Sequence, residues 1–218
     1  MSLRDAYGAL SSEYGPQGWW PADTDVEVVV GAVLVQNTAW TNVEKVTAVL
    51  REHGLLDLDK LAALPEEQLG ELIRPAGTFR VKARRLQAVA RFVRESGGLE
   101  ALAEQPTEAL RWRLLAVHGV GPETCDAILC YALDRPAFVV DAYARRLYRR
   151  LGLIDGGEDY EALRAMTERA LGSDANTLGE WHALVVEHGK RACRPRPVCG
   201  ACPLAQRCPR VGVNLQAS

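Results

Sequence analysis

The sequence of residues 107–151 is TEALRWRLLAVHGVGPETCDAILCYALDRPAFVVDAYARRLYRRL. Apolar residues at helical spacing on both sides of a His-Gly-Val-Gly break predict two helices joined by a tight turn. Thr107, which follows a proline, is expected to be the N-cap of the first helix. Pro122 suits the first position of the second helix, because its fixed φ angle is helical and its missing N–H is not needed there.

The turn itself consists of Gly119, Val120 and Gly121. A Gly-x-Gly turn between two helices leaves backbone N–H groups pointing outward at a helix N-terminus, where a phosphate can dock and a side chain would obstruct it. Such a contact grips the DNA backbone without reading its sequence. An ordinary helix end followed by a new helix has the same pattern, so the turn alone does not decide between the two.

The second signal is Asp141, twenty residues after Gly121, placed to cap a third helix expected over residues 142–151. The hairpin followed by this aspartate resembles the helix-hairpin-helix DNA glycosylases of the endonuclease III superfamily, and the resemblance implies that Asp141 is the catalytic carboxylate. Cleavage of an N-glycosidic bond builds positive charge on the sugar, which a fixed carboxylate stabilises. At a helix N-terminus the carboxylate should be ionised at neutral pH. The alternative is that Asp141 is only an N-cap.

The charge distribution is segregated although the net charge is only −2. Residues 80–94 and residues 190–210 each carry six basic and no acidic side chains, and residues 142–150 carry four arginines. This segregation favours a protein with one phosphate-facing side, although each run alone is equally typical of a solvated helix face.

The composition is that of a globular protein, with 48% hydrophobic and 25% charged residues in a chain of 218. The longest apolar run, residues 26–35, contains Glu27 and is too short to cross a bilayer. No signal peptide is recognisable. We therefore expect a cytoplasmic monomer with no membrane partner.

Three further stretches narrow the resemblance: GWWP at 18–21, GAVLVQNTAW at 31–40 and IRPAGTFRVKARRL at 73–86. Together they are similar to the bacterial 3-methyladenine DNA glycosylase branch of the superfamily. The resemblance implies that Gln36 fills the gap left by a flipped nucleotide, and that Trp20 and Trp40 sandwich the extruded base. The alternatives are that Trp19 faces the pocket in place of Trp20, or that the adjacent tryptophans only fill a core. A base methylated on a ring nitrogen is cationic, and indole faces are favourable for holding a cation.

Four cysteines near the C-terminus form the pattern C-x5-C-x2-C-x5-C, which indicates a metal site rather than disulfides in an intracellular chain. They are Cys193, Cys199, Cys202 and Cys208. The residues alone leave an iron–sulfur cluster and zinc open. Endonuclease III relatives bear a [4Fe-4S] cluster on a similar loop, usually with six residues in the first gap instead of five, and this resemblance favours a structural [4Fe-4S] cluster over zinc.

The fold class expected is all-α, with two helical domains, a helix-hairpin-helix motif and a C-terminal iron–sulfur cluster loop. The strand-like run from Val26 is interpreted as a buried helix because every neighbouring segment is helical. The expected domains are a six-helix domain at 26–133 that contains the hairpin, and a discontinuous helical domain at 1–25 plus 134–218. This discontinuous arrangement is implied by the resemblance.

Glu123 occupies the position at which bifunctional relatives carry the lysine that attacks the sugar. A glutamate cannot form a Schiff base, so the lyase step should be absent or weak. An acid in the first turn of a helix is also favourable for stability alone.

The function expected is that of a monofunctional DNA glycosylase that releases alkylated purines such as 3-methyladenine from double-stranded DNA. The alternatives are an oxidised-pyrimidine or mismatch glycosylase of endonuclease III type, and a non-catalytic protein that binds damaged DNA. For His182 and His188, surface or core roles are expected rather than catalysis.

Overall fold

The computed structural model describes residues Met1–Val213. Every regular element in this range is a helix, which confirms the all-α prediction. The helices are α1 Leu3–Tyr14, α2 Asp25–Leu34, α3 Trp40–Glu52, α4 Leu58–Ala63, α5 Glu66–Leu72, α6 Phe79–Glu95, α7 Gly98–Ala103, α8 Thr107–Leu115, α9 Pro122–Ala127, α10 Ala142–Arg150, α11 Tyr160–Leu171 and α12 Ala175–Arg191. A 3₁₀ turn at Arg74–Ala76 precedes α6, and a π-helical segment at Ile128–Ala132 continues α9.

The chain forms two compact units. One unit is Pro21–Arg135, and the other consists of Met1–Trp20 with the described part of Pro136–Ser218. Each unit has its own buried core. No helix within the described range has both the length and the apolar character needed to cross a membrane.

Helix α2 lies at the centre of the unit Pro21–Arg135. Thr24 caps it by accepting a hydrogen bond from the backbone N–H of Glu27, and the residues from Glu27 to Leu34 are all buried. It packs against α3, α6, α9 and the π-helical segment. The β-branched residues of this run favour a strand locally, but burial on all sides within a helical unit outweighs that preference.

Three local features of this unit differ from the prediction. Pro106 is the N-cap of α8 and makes no side-chain capping bond, so Thr107 is the first helical residue and not the cap. Helix α9 ends at Ala127, where the chain widens into the π-helical segment. Helix α7, which begins at Gly98 with Gly97 as its N-cap, was not predicted.

The other unit packs α1, α10 and α11 around α12. Trp181 of α12 is fully buried and donates its indole N–H to the Tyr148 hydroxyl at 2.8 Å. That hydroxyl also lies 2.9 Å from the Thr167 hydroxyl, so these three buried polar groups are hydrogen-bonded to one another. Burial raises the pKa of Tyr148 well above its usual value, which keeps the phenol neutral.

Candidate functional site

The hairpin turn between α8 and α9 places its two glycines in different environments. Gly119 has φ +84°, in the region that favours glycine, and a Cβ there would lie 2.7 Å from Cδ of Arg85 and closer still to its Cγ. At Gly121 no heavy atom lies within 4 Å of such a Cβ. From the sequence, both glycines were expected to leave room for a docking phosphate. At Gly119 the packed Arg85 side chain is already sufficient reason to exclude a Cβ.

A buried ion pair connects the two helices of the hairpin. Arg111 of α8 donates from Nε and Nη2 to the two carboxylate oxygens of Asp126 of α9, at 2.7 and 3.2 Å. The Asp126 side chain is fully buried, and only 9% of the Arg111 side chain is exposed. This two-point contact fixes the angle at which α9 leaves the turn.

Gln36 is held against the same turn. Its Nε2 donates to the Gly119 carbonyl at 3.2 Å and to the Thr124 hydroxyl at 2.8 Å. Its Oε1 accepts a short hydrogen bond from Nη1 of Arg85. The structure therefore places Gln36 beside the hairpin, with both ends of its amide engaged.

Lys82 supports the segment just before Gln36. Its ammonium group is buried and donates to the carbonyls of Leu34 and Ala76, at 2.9 and 2.6 Å. Leu34 is the last residue of α2, so the cation also lies at the favourable end of that helix dipole. Burial lowers the pKa of Lys82 from its usual value.

Two other predicted site residues lie in the unit Pro21–Arg135. Trp40 is the first residue of α3 and is half-buried. Glu123 lies in the first turn of α9 and is exposed. The acidic side chain is thus near the positive end of a short helix, which agrees with the alternative that Glu123 only stabilises this helix.

Asp141 lies in the other unit and caps α10. Its Oδ1 accepts a hydrogen bond from the backbone N–H of Ala144 at 2.7 Å. Its Oδ2 lies 3.5 Å from Nε2 of His182, and 12% of the Asp141 side chain is exposed. One oxygen is therefore fixed by the helix and the other lies near a histidine.

His182 is the site residue that the sequence did not reveal. It is buried on α12, as a core role predicts, but its imidazole also lies beside Asp141. The Trp19 ring meets it edge-on at a centroid distance of 5.3 Å, and the Trp20 ring lies 5.7 Å from that of Trp19. Trp19 and the capping aspartate thus share His182 as a neighbour.

The arginines of α10 are largely committed to neighbouring loops. Arg145 donates to the Glu158 carbonyl at 2.9 Å, and Arg146 donates to the Cys193 carbonyl at 2.7 Å. Arg150 donates to Sγ of Cys193 at 3.2 Å. Two arginines of the basic run at 142–150, Arg146 and Arg150, therefore bind the cysteine loop, so the whole run is not a phosphate-facing patch.

The four loop cysteines line one small cavity that is partly open to solvent. Apolar residues such as Leu147 and Leu204 line it as well. Among residues 1–213, no group of three or more His, Cys, Asp or Glu side chains has the arrangement that would hold a metal ion. Burial, with the neighbouring cysteines adding to it, raises the pKa of Cys202.

His188 packs against this loop. Its Nδ1 lies 3.0 Å from the Tyr14 hydroxyl and its Nε2 lies 3.8 Å from Sγ of Cys202. Burial, reinforced by Arg150, lowers the pKa of His188 to about 4. Thiols are the ligand type that an iron–sulfur cluster takes, and here four of them line one mostly apolar cavity. Arg150 and His188 lie against two of the sulfurs.

Comparison with known proteins identifies the class to which this architecture belongs. Residues 30–172 match the model of the HhH-GPD superfamily base excision DNA repair proteins, and the chain belongs to that family. The resemblance to the endonuclease III superfamily is thereby confirmed.

Two curated relatives cover most of the chain. A protein of Methanocaldococcus jannaschii, provisionally named as a DNA repair glycosylase, is 46% identical over 205 residues, which is 93% of each chain. Endonuclease III of Thermotoga maritima is 31% identical over 182 residues, covering 83% of this chain and 81% of the relative.

Solved structures match the same fold. The 3-methyladenine DNA glycosylase MagIII of H. pylori, bound to 1,N6-ethenoadenine, matches with a TM-score of 0.77 and 29% identity, covering 88% of this chain and 98% of that one. A non-covalent endonuclease III–DNA complex matches with a TM-score of 0.80 and 23% identity, covering 94% and 93% of the two chains, and so supports the fold alone.

Proposed function

We propose that this protein is a monofunctional DNA glycosylase that hydrolyses the N-glycosidic bond of alkylated purines, with 3-methyladenine as the leading substrate. The observation that carries the proposal is Asp141, a fixed helix-capping carboxylate beside His182 in a chain of the base excision repair family. Its DNA partner would be a duplex that contains a damaged base, because the chain belongs to a base excision repair family.

Asp141 would act on the sugar of the flipped nucleotide. As the N-glycosidic bond breaks, its electron pair leaves with the base and positive charge develops on the deoxyribose, where a carboxylate stabilises it. The oxygen of a water molecule then bonds to the sugar carbon, and the carboxylate accepts a proton from that water. The Ala144 N–H fixes one oxygen of Asp141, so only small reorganisation is needed during the reaction.

Glu123 is the reason to expect hydrolysis without strand cleavage. A lyase step requires an amine that attacks the sugar to form a Schiff base, and a carboxylate cannot do so. The product would therefore be an abasic site in an uncut strand.

The choice of substrate rests on tryptophans and on one relative. Trp20 and Trp40 offer large π faces suited to a flat cationic base, in which the methyl group on a ring nitrogen fixes the positive charge. The 29% identity with the H. pylori 3-methyladenine DNA glycosylase extends over most of both chains. Gln36 would fill the space that the flipped nucleotide leaves in the duplex.

The four loop cysteines would hold a [4Fe-4S] cluster. The cluster supplies a rigid cross-link among four thiolates when bound, and the residues that this chain directs toward it are Arg150 and His188. The loop is connected to α10 through Arg146 and Arg150, so the cross-link would also stabilise the helix that Asp141 caps.

The proposal is tested by measuring free-base release from three duplexes, carrying methylated purines, thymine glycol or a G·T mismatch, with nicking scored without alkali. We expect release of 3-methyladenine and no nicking. Preferential release of thymine glycol or of the mismatched thymine would instead assign the chain an endonuclease III-type or mismatch activity. Tight binding to damaged duplex with no release from any substrate would make it a damage-binding protein.

A further inference from the structure

Arg85 of α6 occupies a position at the hairpin that the sequence did not single out. Its aliphatic stem packs against Gly119, where a Cβ would overlap it, and its guanidinium donates to the amide oxygen of Gln36. The side chain is half-buried. The left-handed glycine therefore opens the space through which Arg85 reaches Gln36.

The partner of Arg85 is a weak one for a guanidinium. Arg84, the preceding residue, is paired with the Glu66 carboxylate at 3.1 Å, whereas Arg85 donates to a neutral amide oxygen. A guanidinium has five N–H donors in a planar fork, which fits two oxygens of a phosphate better than one amide oxygen. Arg85 would therefore gain from exchanging Gln36 for a phosphodiester.

Gln36 cannot enter a duplex from its present position without giving up hydrogen bonds to Gly119, Thr124 and Arg85. Its departure would release the guanidinium of Arg85 next to the hairpin turn. Arg85 would thus lose the Gln36 amide and gain a phosphate in the same event.

We propose that Arg85 has two successive partners: the Gln36 amide in the free protein, and a DNA phosphate once Gln36 has entered the duplex. The inference rests on the proposed function in one respect, the insertion of Gln36. In a complex with intact DNA there is no gap to fill, so Gln36 remains bound to Arg85 and the phosphate contact is absent. Arg85 would then report on damage and not on DNA in general.

The test is the salt dependence of binding to two duplexes, one intact and one containing a tetrahydrofuran abasic analogue. Each phosphate contact contributes about 0.9 to the slope of log Kd against log salt concentration. Arg85→Gln should lower the slope by about 0.9 on the abasic duplex and leave it unchanged on the intact duplex. Arg84→Gln removes the same charge from the same helix and should change neither slope.

A second variant tests the coupling from the other side. Gln36→Leu keeps a side chain of similar size but cannot accept from Arg85, so the slope on the intact duplex should increase by about 0.9. Thermal melting would show that each variant is folded.

Equal slopes for wild type and Arg85→Gln on the abasic duplex would overturn the inference, and so would an equal decrease on both duplexes, which indicates a permanent contact. An effect of Arg84→Gln as large as that of Arg85→Gln would overturn it as well. If the wild type bound neither duplex, the proposed function itself would fail.

Discussion

The buried ion pair between Arg111 and Asp126 allows a quantitative prediction about the hairpin. Asp126→Asn keeps the shape of the side chain but removes the negative charge from a buried pair in which only 9% of the Arg111 side chain is exposed. Removing one member of a buried pair costs about 3–5 kcal/mol, because the remaining charge stays desolvated. For a chain of this size, 1 kcal/mol lowers Tm by about 2–4 °C, so we expect a decrease of roughly 6–20 °C.

The assay is urea and thermal unfolding followed by circular dichroism, with an exposed ion pair as control. Arg74 and Glu71 form such a pair, with 58% and 61% of their side chains exposed. Arg74→Gln should cost no more than about 1 kcal/mol. The double variant Arg111→Met, Asp126→Leu should be more stable than Asp126→Leu alone, because it removes both charges of the buried pair and not only one. An Asp126→Asn variant as stable as the wild type, or a double variant no better than the single one, would refute this reasoning.

Three further predictions address Glu123, the cysteine loop and the buried Lys82. Glu123→Lys should form a Schiff base with abasic DNA that borohydride traps, because an amine replaces the carboxylate. Glu123→Gln should form no such complex, and trapping of the wild type would contradict the prediction. Cys199→Ala should lower both the iron content and the melting temperature, whereas Cys130→Ala, outside the loop, should leave iron content unchanged; a folded and fully active Cys199→Ala protein would contradict it. The pKa of Lys82 is lower in the folded protein than in the unfolded chain, so between that pKa and 10.5 only the unfolded chain binds the proton. The free energy of unfolding should therefore rise with pH over this range, and Lys82→Met should lack the rise. Parallel pH profiles of the free energy of unfolding for the two proteins would disprove this prediction.

The sequence predicted what depends on local pattern. The Gly-x-Gly break, Pro122 and the spacing of apolar residues were enough to predict the hairpin helices, and the position of Asp141 after a short loop was enough to predict a capped helix. These features depend on residues close in sequence, whose preferences agree with the tertiary fold.

The contacts around the site were not predictable in the same way. Arg85 lies 49 residues from Gln36, and His182 reaches Asp141 only through the packing of α12 on α10. A single sequence gives no signal for such pairs, because neither periodicity nor spacing relates them. The π-helical segment after Ala127 was missed for a similar reason, since its residues have the same apolar pattern as an α-helix.

The most direct test of the account is the single-turnover rate of 3-methyladenine release by the wild type and by Asp141→Asn. Asparagine is also a good N-cap, so the variant should keep α10 folded and bind DNA normally. We predict a loss of at least about 10²-fold in rate, the size expected when a preorganised electrostatic contact is removed. An Asp141→Asn protein that releases the base as fast as the wild type would contradict the assignment of Asp141 as the catalytic carboxylate.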